Sequence, residues 1–406
     1  RDRRPTTGVA LMAPSTVAAM ATANPLGRGL AETWQALRTE RQGLRPNDFE
    51  DADIKTWIGR IEGLETEPIT GELADFDCRN NRLALVGLRQ DGFEQAVASA
   101  RQRYGPDRIG VLIGTTTSGI LETEWAYRRR AAGGELLPLT VRYRHTQNLF
   151  SVSDVVRRHL KLTGPVASIS TACSSSAKVF ASASRWMAAG LCDAVVVGGV
   201  DSLCFMTLYG FASLGLLSPR PCRPCDEHRD GLSIGEAAGF LLLERETTRD
   251  SGLRFLGYGE SSDAHHMSTP HPEGLGAVLA MERALDRAEL KPIDIDYINL
   301  HGTGTPANDL AEDRAIWKTF GERTPCSSTK ERTGHTLGAA GITEAIISLL
   351  CLRHEFIPGM VRIKQPDPQL RSGIMLRSES RPLRTVISNS FGFGGSNCSL
   401  VFGKRP

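Results

Sequence analysis

Short apolar runs alternate with longer segments of helical periodicity along most of this chain. Runs at 109–114, 166–169, 194–198 and 241–243 read as buried strands, as do 297–300, 386–388 and 398–402. Between them lie helical stretches at 30–41, from Asn80 onward with Leu83, Val86 and Gly87 on one face, and at 276–288. Two further helices, 177–189 and 339–350, are rich in alanine, which fits close packing against neighbours. Residues 9–20 read as a first strand and turn, interrupted at Pro14-Ser15-Thr16, and 46–77 is polar and irregular. Strands alternating with helices predict an α/β protein with parallel sheets. In each half an alanine-rich helix follows a polar turn, so the pattern also points to an internal duplication. The polar stretch 247–252 is the best boundary and divides the chain into 1–246 and 247–406.

Composition narrows the classes of function. The 406 residues are 40% hydrophobic and 23% charged, as in an ordinary globular protein. A formal net charge of +2 argues against bulk nucleic-acid binding. No apolar run approaches the ~20 residues of a membrane helix. The start, Arg1-Asp2-Arg3-Arg4, lacks a methionine and reads as processed or truncated, and residues 9–20 show no clear signal-cleavage site. Nine scattered cysteines fit a reducing compartment, so the expectation is a cytoplasmic protein. Cys222 and Cys225 form a lone CxxC near His228. Without a second ligand pair at zinc spacing, it reads as a proline-containing loop. Arg128, Arg129 and Arg130, then Arg142, Arg144 and His145, form a basic neighbourhood. Such a run is either a solvated face or a surface for an anionic partner.

The candidate chemistry gathers at Thr171-Ala172-Cys173-Ser174-Ser175-Ser176, where a strand turns into a helix. A helix N-terminus favours the thiolate of Cys173, and its free N–H groups can donate to an oxyanion. A lone cysteine beside a strand is ordinarily inert core. Three later stretches change that reading. Asn299-Leu300-His301-Gly302-Thr303-Gly304-Thr305 carries a histidine off a strand end, where α/β folds collect ligands. Lys330-Glu331-Arg332-Thr333-Gly334-His335 opens the second alanine-rich helix, and Asn389 to Asn397 is a glycine-rich loop containing Phe391 and Phe393. Forming a carbon–carbon bond from thioesters needs a nucleophile that holds one acyl group, which a thiolate does. It also needs donors for the enolate oxygen of the second substrate, and two neutral imidazole N–H groups can serve. A Cys-His hydrolase would pair one histidine with the cysteine and has no use for a second on its own turn.

These four stretches, in this order, resemble the nucleophile, first-histidine, lysine–histidine and gating motifs of the β-ketoacyl-acyl carrier protein synthases, condensing enzymes with a Cys-His-His triad. The resemblance runs from about Leu26 to the end of the chain. It implies a thiolase-like fold: two similar α/β halves in a helix-sheet-helix-sheet-helix unit that dimerises. Cys173 would accept the acyl group, His301 and His335 would stabilise the enolate, and Lys330 would organise His335. Backbone N–H groups of Cys173 and Phe393 would form the oxyanion hole, with Phe393 also acting as a gate. Thr303, Thr305 and Phe391 would contact substrate. Thr117 would line the far end of the acyl tunnel, or its hydroxyl would satisfy the turn. Asn299, Glu344, Ser388 and Asn389 match positions that in some members surround a monovalent cation, or are a hydrogen-bonded core. The partner would be an acyl carrier protein, which supplies the phosphopantetheine, so no cofactor of the chain's own is expected. Arg128, Arg129 and Arg130 are its candidate docking rim. The segments RNNRLAL, GTTTSGI and STACSSSAK resemble the aryl-polyene branch, with ordinary fatty-acid elongation close behind, so the dimer could be a homodimer or a heterodimer with a paralogous chain-length partner. The chain departs from the family at residues 10–16, where many relatives carry a glycine-rich strand and turn. Two alternatives remain: a non-catalytic chain-length partner, which Cys173 and both histidines argue against, and a thiolase-type acyl-coenzyme A enzyme using Cys398 as base.

Overall fold

The computed structural model describes residues 14–130, 141–245 and 251–405. Residues 9–13 of the expected first strand and 247–250 of the expected boundary lie outside the described residues. A mixed twelve-stranded sheet forms the centre. Its first half contains β1 (Ser15–Asn24), β2 (Ile109–Gly114), β3 (Val166–Ile169), β4 (Ala194–Asp201) and β5 (Ala237–Glu244). Its second contains β6 (Leu253–Ser262), β7 (Tyr297–Asn299), β8 (Pro325–Ser327), β9 (Thr385–Gly392) and β10 (Ser396–Lys404). In the first half β1 pairs antiparallel with β5 and β5 with β4, while β4 runs parallel to β2 and β2 to β3. The second half repeats this: β6 antiparallel to β10, β10 to β9, then β9 parallel to β7 and β7 to β8. The halves join where β1 pairs antiparallel with β6. The strand pairing thus makes the internal duplication explicit.

Two helices, Ser175–Ala188 and Ala340–His354, follow β3 and the turn after β8. Each touches the other and strands of both halves, so the pair lies between the two half-sheets. The outer faces are covered by Arg79–Leu88 against β1 and β5, and by Leu275–Ala288 against β6 and β10. Helix and sheet layers therefore alternate. A helix apolar on every side must be buried, and Ala340–His354 is buried from Ala340 to Leu352. The stretch Leu337–His354 is in fact long and apolar enough to span a membrane by length and composition, against the sequence expectation, but 89% of it is buried within the protein.

Small residues set how closely these layers approach. A Cβ on Gly199 would meet Ser176 Cβ at 2.4 Å, and one on Gly341 would meet Ala177 N at 2.5 Å. This explains why β4 outruns its expected end at Gly198: Gly198 makes room for the Phe240 ring and Gly199 for the helix, and neither ends the strand. Likewise Ser15 and Thr16 begin β1 by pairing with Phe255 and Arg254, where the Pro14-Ser15-Thr16 pattern reads as an interruption. Within 46–77 the structure adds a short strand, Trp57–Gly59, which pairs with Ile234–Gly235 beside the site.

Candidate active site

The nucleophile turn is locally strained and tied in place. Ala172 has φ of 52°, a left-handed conformation that costs a non-glycine residue about 1–3 kcal/mol. Its neighbours hold it there. Ser174 donates to the Thr171 carbonyl (2.9 Å) and Ser175 to the Ala172 carbonyl (2.6 Å), while the Thr171 N–H donates to Ser175 Oγ (2.9 Å). Ser176 Oγ accepts the Ile342 N–H (2.9 Å), joining the two central helices. The serine run is a structural knot, and Cys173 is the side chain it presents. Burial pushes the Cys173 thiol up to about 11, opposed by the Lys330 charge and the Phe393 N–H. Desolvation of the deeply buried turn thus works against the helix N-terminus, which favours the thiolate.

His335 Nε2 lies 3.0 Å from Cys173 Sγ. The Leu337 N–H donates to His335 Nδ1 (3.3 Å), so the ring proton sits on Nε2 and faces the sulfur. Lys330 Nζ lies 3.4 Å from His301 Nδ1 and also donates to the His301 carbonyl and to Glu344. That arrangement puts the His301 proton on Nε2 as well. Burial, and then the Lys330 charge, hold both histidines well below the usual imidazole range, so both are neutral. Their rings stand 5.3 Å apart and nearly perpendicular, and the sulfur and one nitrogen of each ring lie within 4.8 Å of one another. Two neutral N–H donors and one sulfur thus converge.

Two carboxylates behind the site have roles that the sequence does not assign, Glu312 within the histidine motif and Asp201 outside every motif. Glu312 accepts the N–H groups of His301 and Gly302, each at 2.7 Å, and pins the histidine loop. Burial pushes it up to about 7 while those N–H groups pull it down. Asp201 receives Thr115, Thr116 and Thr117 together with the Gly338 N–H. Glu312 lies on the Pro306–Phe320 helix that follows the His301 loop, within the histidine motif, and that was its available signal; Asp201 gave none.

A cavity of about 360 Å³ opens onto Cys173, His301 and His335, with Thr303, Thr305 and Phe391 on its wall. Phe393 also lines it and lies 5.6 Å from Phe211. Thr117 does not line it: the hydroxyl donates to Asp201 (2.9 Å) and accepts the Ser202 N–H (3.2 Å), as the turn-satisfying alternative has it. Arg128, Arg129 and Arg130 are all exposed, but Arg128 is held by both oxygens of Asp51 (2.7 and 2.9 Å) and stacks on Phe205. Cys222 donates to the Lys330 carbonyl, and His228 points to solvent, so the CxxC is a loop packed under the site. Cys398 is buried within β10 and absent from the cavity wall, which leaves the thiolase-type base without access.

Asn299 and Ser388 are register partners on β7 and β9. Both polar atoms of Asn299, Ser388 Oγ and Glu344 Oε2 are buried without a hydrogen-bond partner. Unpartnered oxygens of this kind fit a hard monovalent cation. Asn389 differs, since its Oδ1 already accepts from Ser399 (2.8 Å).

A duplicated α/β scaffold that brings a cysteine to two neutral imidazoles defines a class of acyl-transferring, carbon–carbon bond-forming enzymes. Comparison with known proteins agrees. Residues 13–249 match the beta-ketoacyl synthase N-terminal domain and 254–364 the C-terminal domain. The 3-oxoacyl-[acyl-carrier-protein] synthase 2 of Coxiella burnetii is 34% identical over 94% of this chain and 96% of its own length. That of Staphylococcus aureus is 32% identical over 96% and 97%. A solved structure, the ketosynthase (ApeO) in complex with its chain length factor (ApeC) from Xenorhabdus doucetiae, superposes with a TM-score of 0.88 at 38% identity, covering 100% of both chains. The chain belongs to the beta-ketoacyl synthase family, has its thiolase-like fold, and is a condensing acyltransferase.

Proposed function

We propose that this chain catalyses decarboxylative Claisen condensation of a Cys173-bound acyl group with malonyl-acyl carrier protein, giving a 3-oxoacyl-acyl carrier protein. The observation that carries this is the pair of neutral histidines whose Nε2–H groups face the cavity containing Cys173 Sγ. Cys173 attacks the incoming acyl thioester, forming a new thioester and releasing the carrier thiol, which takes the cysteine proton. Malonyl thioester then enters and loses its carboxylate as carbon dioxide. The electrons of the broken bond form an enolate, whose oxygen accepts from His301 and His335. A neutral donor stabilises that oxygen without quenching the carbanion, which a protonated histidine would risk. The carbanion attacks the acyl-cysteine carbonyl, whose oxygen accepts from the Cys173 and Phe393 N–H groups, and collapse expels the Cys173 thiolate, which takes a proton from solvent to restore the thiol. Asn299, Ser388 and Glu344 would hold a monovalent cation that supplies fixed positive charge beneath the Lys330 pair.

The acyl carrier protein is the partner in this reading, with the exposed Arg129 and Arg130 as part of its rim, in a cytoplasmic setting. The carrier brings the phosphopantetheine, and the breaking carbon–carbon bond supplies the electrons. The polyene-type motifs and the 38% identity to the Xenorhabdus ketosynthase support a chain that works beside a chain-length partner. A homodimer in fatty-acid elongation is the second reading, favoured by the Coxiella relative. Purified chain would be given acyl- and malonyl-carrier protein, alone and with a cysteine-lacking paralogue, and the products followed by mass. Condensation is expected, with long products only in the mixture. Equal products without the paralogue would select the homodimer, and no carbon dioxide or 3-oxoacyl product in either arm would overturn the function.

A further inference from the structure

We propose that Asp201 is a positioning residue for His335: by holding the Gly338 N–H it fixes the turn that keeps the ring proton on Nε2. Asp201 ends β4 fully buried, with no ion pair among the described residues. Six donors reach its carboxylate. Oδ1 takes the Thr115 and Thr117 hydroxyls (2.8 and 2.9 Å) and the Thr116 and Thr117 N–H groups (2.7 and 2.9 Å). Oδ2 takes the Thr116 hydroxyl (2.5 Å) and the Gly338 N–H (2.6 Å). Only the last of these reaches the second half of the molecule, and it arrives three residues beyond His335.

The turn it holds is strained. Leu337 has φ of 54°, in the left-handed region that a leucine avoids. That conformation directs the Leu337 N–H onto His335 Nδ1 while the next N–H, of Gly338, points to Asp201. Released from Asp201, Leu337 relaxes and its N–H leaves Nδ1. The Nδ1–H tautomer then becomes accessible, and Nε2 turns a lone pair toward Cys173, 3.0 Å away. A lone pair cannot donate to an enolate oxygen.

An amide at this position separates the two functions of the carboxylate. Asparagine has one acceptor oxygen, which belongs on the side with four donors. Its amine then faces the Thr116 hydroxyl and the Gly338 N–H; the hydroxyl can turn and accept from the amine, whereas the N–H cannot, so the bond to the His335 turn is the one lost outright. In Asp201→Asn, malonyl-thioester decarboxylation is expected to fall about 10²-fold, as on loss of one oxyanion donor, while acylation of Cys173 persists. Alkylation of Cys173 should also shift to lower pH, because Asp201, unlike Lys330, raises that thiol. Thr115→Val removes one Oδ1 donor, spares the Gly338 bond, and should decarboxylate as wild type. Decarboxylation at the wild-type rate in Asp201→Asn, or equal loss of acylation and decarboxylation, would overturn the proposal. Nitrogen-15 histidine spectra of the wild-type enzyme test it independently of how the variant folds: His335 must be the Nε2–H tautomer, and an Nδ1–H signal would overturn it. The inference rests on the condensing reaction above. A wild-type enzyme that cannot decarboxylate would end that reading, whereas an active wild type beside an unaffected variant ends only this one.

Discussion

The two halves pair their strands alike yet place different chemistry at matching strand ends. After β2 the loop turns the hydroxyls of Thr115, Thr116 and Thr117 onto Asp201, together with two backbone N–H groups. After β7 the loop is held by Glu312 through the backbone N–H groups of His301 and Gly302. Each half therefore anchors this loop with one buried carboxylate. In the first half the side chains are consumed by the anchor, and in the second the imidazole is spared for the cavity. The next strand ends differ in the same way: β3 leads to Cys173, and β8 to Lys330 and His335. Duplication supplies the scaffold, and function depends on which side chains the anchoring bonds leave free.

The largest effect tests whether the nucleophile belongs to the first half alone. Cys173→Ala should abolish the acyl adduct seen by intact mass after incubation with an acyl thioester. An adduct that persists on another cysteine would break the comparison. The other eight cysteines are buried, none lines the cavity, and no such adduct is expected.

The thiol's pH dependence comes next. With its pKa pushed up to about 11 by burial, Cys173 is mostly protonated at neutral pH. Its iodoacetamide alkylation should rise about tenfold per pH unit, roughly a thousandfold from pH 7 to 10, because only the thiolate reacts. A plateau below pH 8 would mean that the Lys330 charge and the Phe393 N–H outweigh burial.

His301→Ala and His335→Ala should each lower malonyl decarboxylation by about 10²–10³-fold while acyl transfer to Cys173 continues. Carbon dioxide release at the wild-type rate in both variants would remove the donors from the mechanism.

Much of this was legible in the sequence, and the parts that were not share a cause. Strands and alanine-rich helices announced themselves because burial demands apolar runs, and Cys173, His301 and His335 stood out because each sits among small residues after a strand: threonine, alanine and serine around the cysteine, glycine and threonine around the histidines. Asp201 and Glu312 were missed because a buried carboxylate that anchors backbone N–H groups needs no pattern of its own. The main-chain donors of the Thr loop come to Asp201 from 84 and 85 residues away, and that of Gly338 from 137. The state of the Cys173 thiol depends on how deeply the turn is covered, which spacing does not reveal. Gly198 and Gly199 misled for the opposite reason: their meaning lies on other elements, in Phe240 for the first and Ser176 for the second.

Removing the second half's anchor sharpens the comparison. Glu312→Ala leaves two buried N–H groups without acceptors, at about 1–3 kcal/mol each. Thermal unfolding should show a clear drop in Tm, with decarboxylation falling beside it. Thr115→Val, which removes one donor of several from Asp201, should lower Tm less. If the two variants were equally destabilised, the two anchors would not differ in the way their bonding implies.

The smallest effect concerns the helices that leave the two loops. After the histidine loop, the Pro306–Phe320 helix begins on the cavity wall, with Pro306, Ala307 and Asn308 lining it. After the threonine loop, the Ile120–Arg128 helix ends at the arginine run. Arg128 is committed to Asp51 and to the Phe205 ring, 4.0 Å away, so replacing it disturbs packing before it touches a partner. Arg129 and Arg130 are exposed, and Arg130 lies 5.9 Å from the Tyr127 ring. Charge reversal at these two should raise the KM for a carrier-bound substrate by roughly two- to fivefold, the scale of losing rim charges, and leave kcat unchanged. A small acyl thioester should be used as before. The difference should shrink as salt rises, since exposed charges are screened over about 8 Å at physiological ionic strength. An equal loss with both substrates would mean that the helix end had unfolded and that the arginines face no partner.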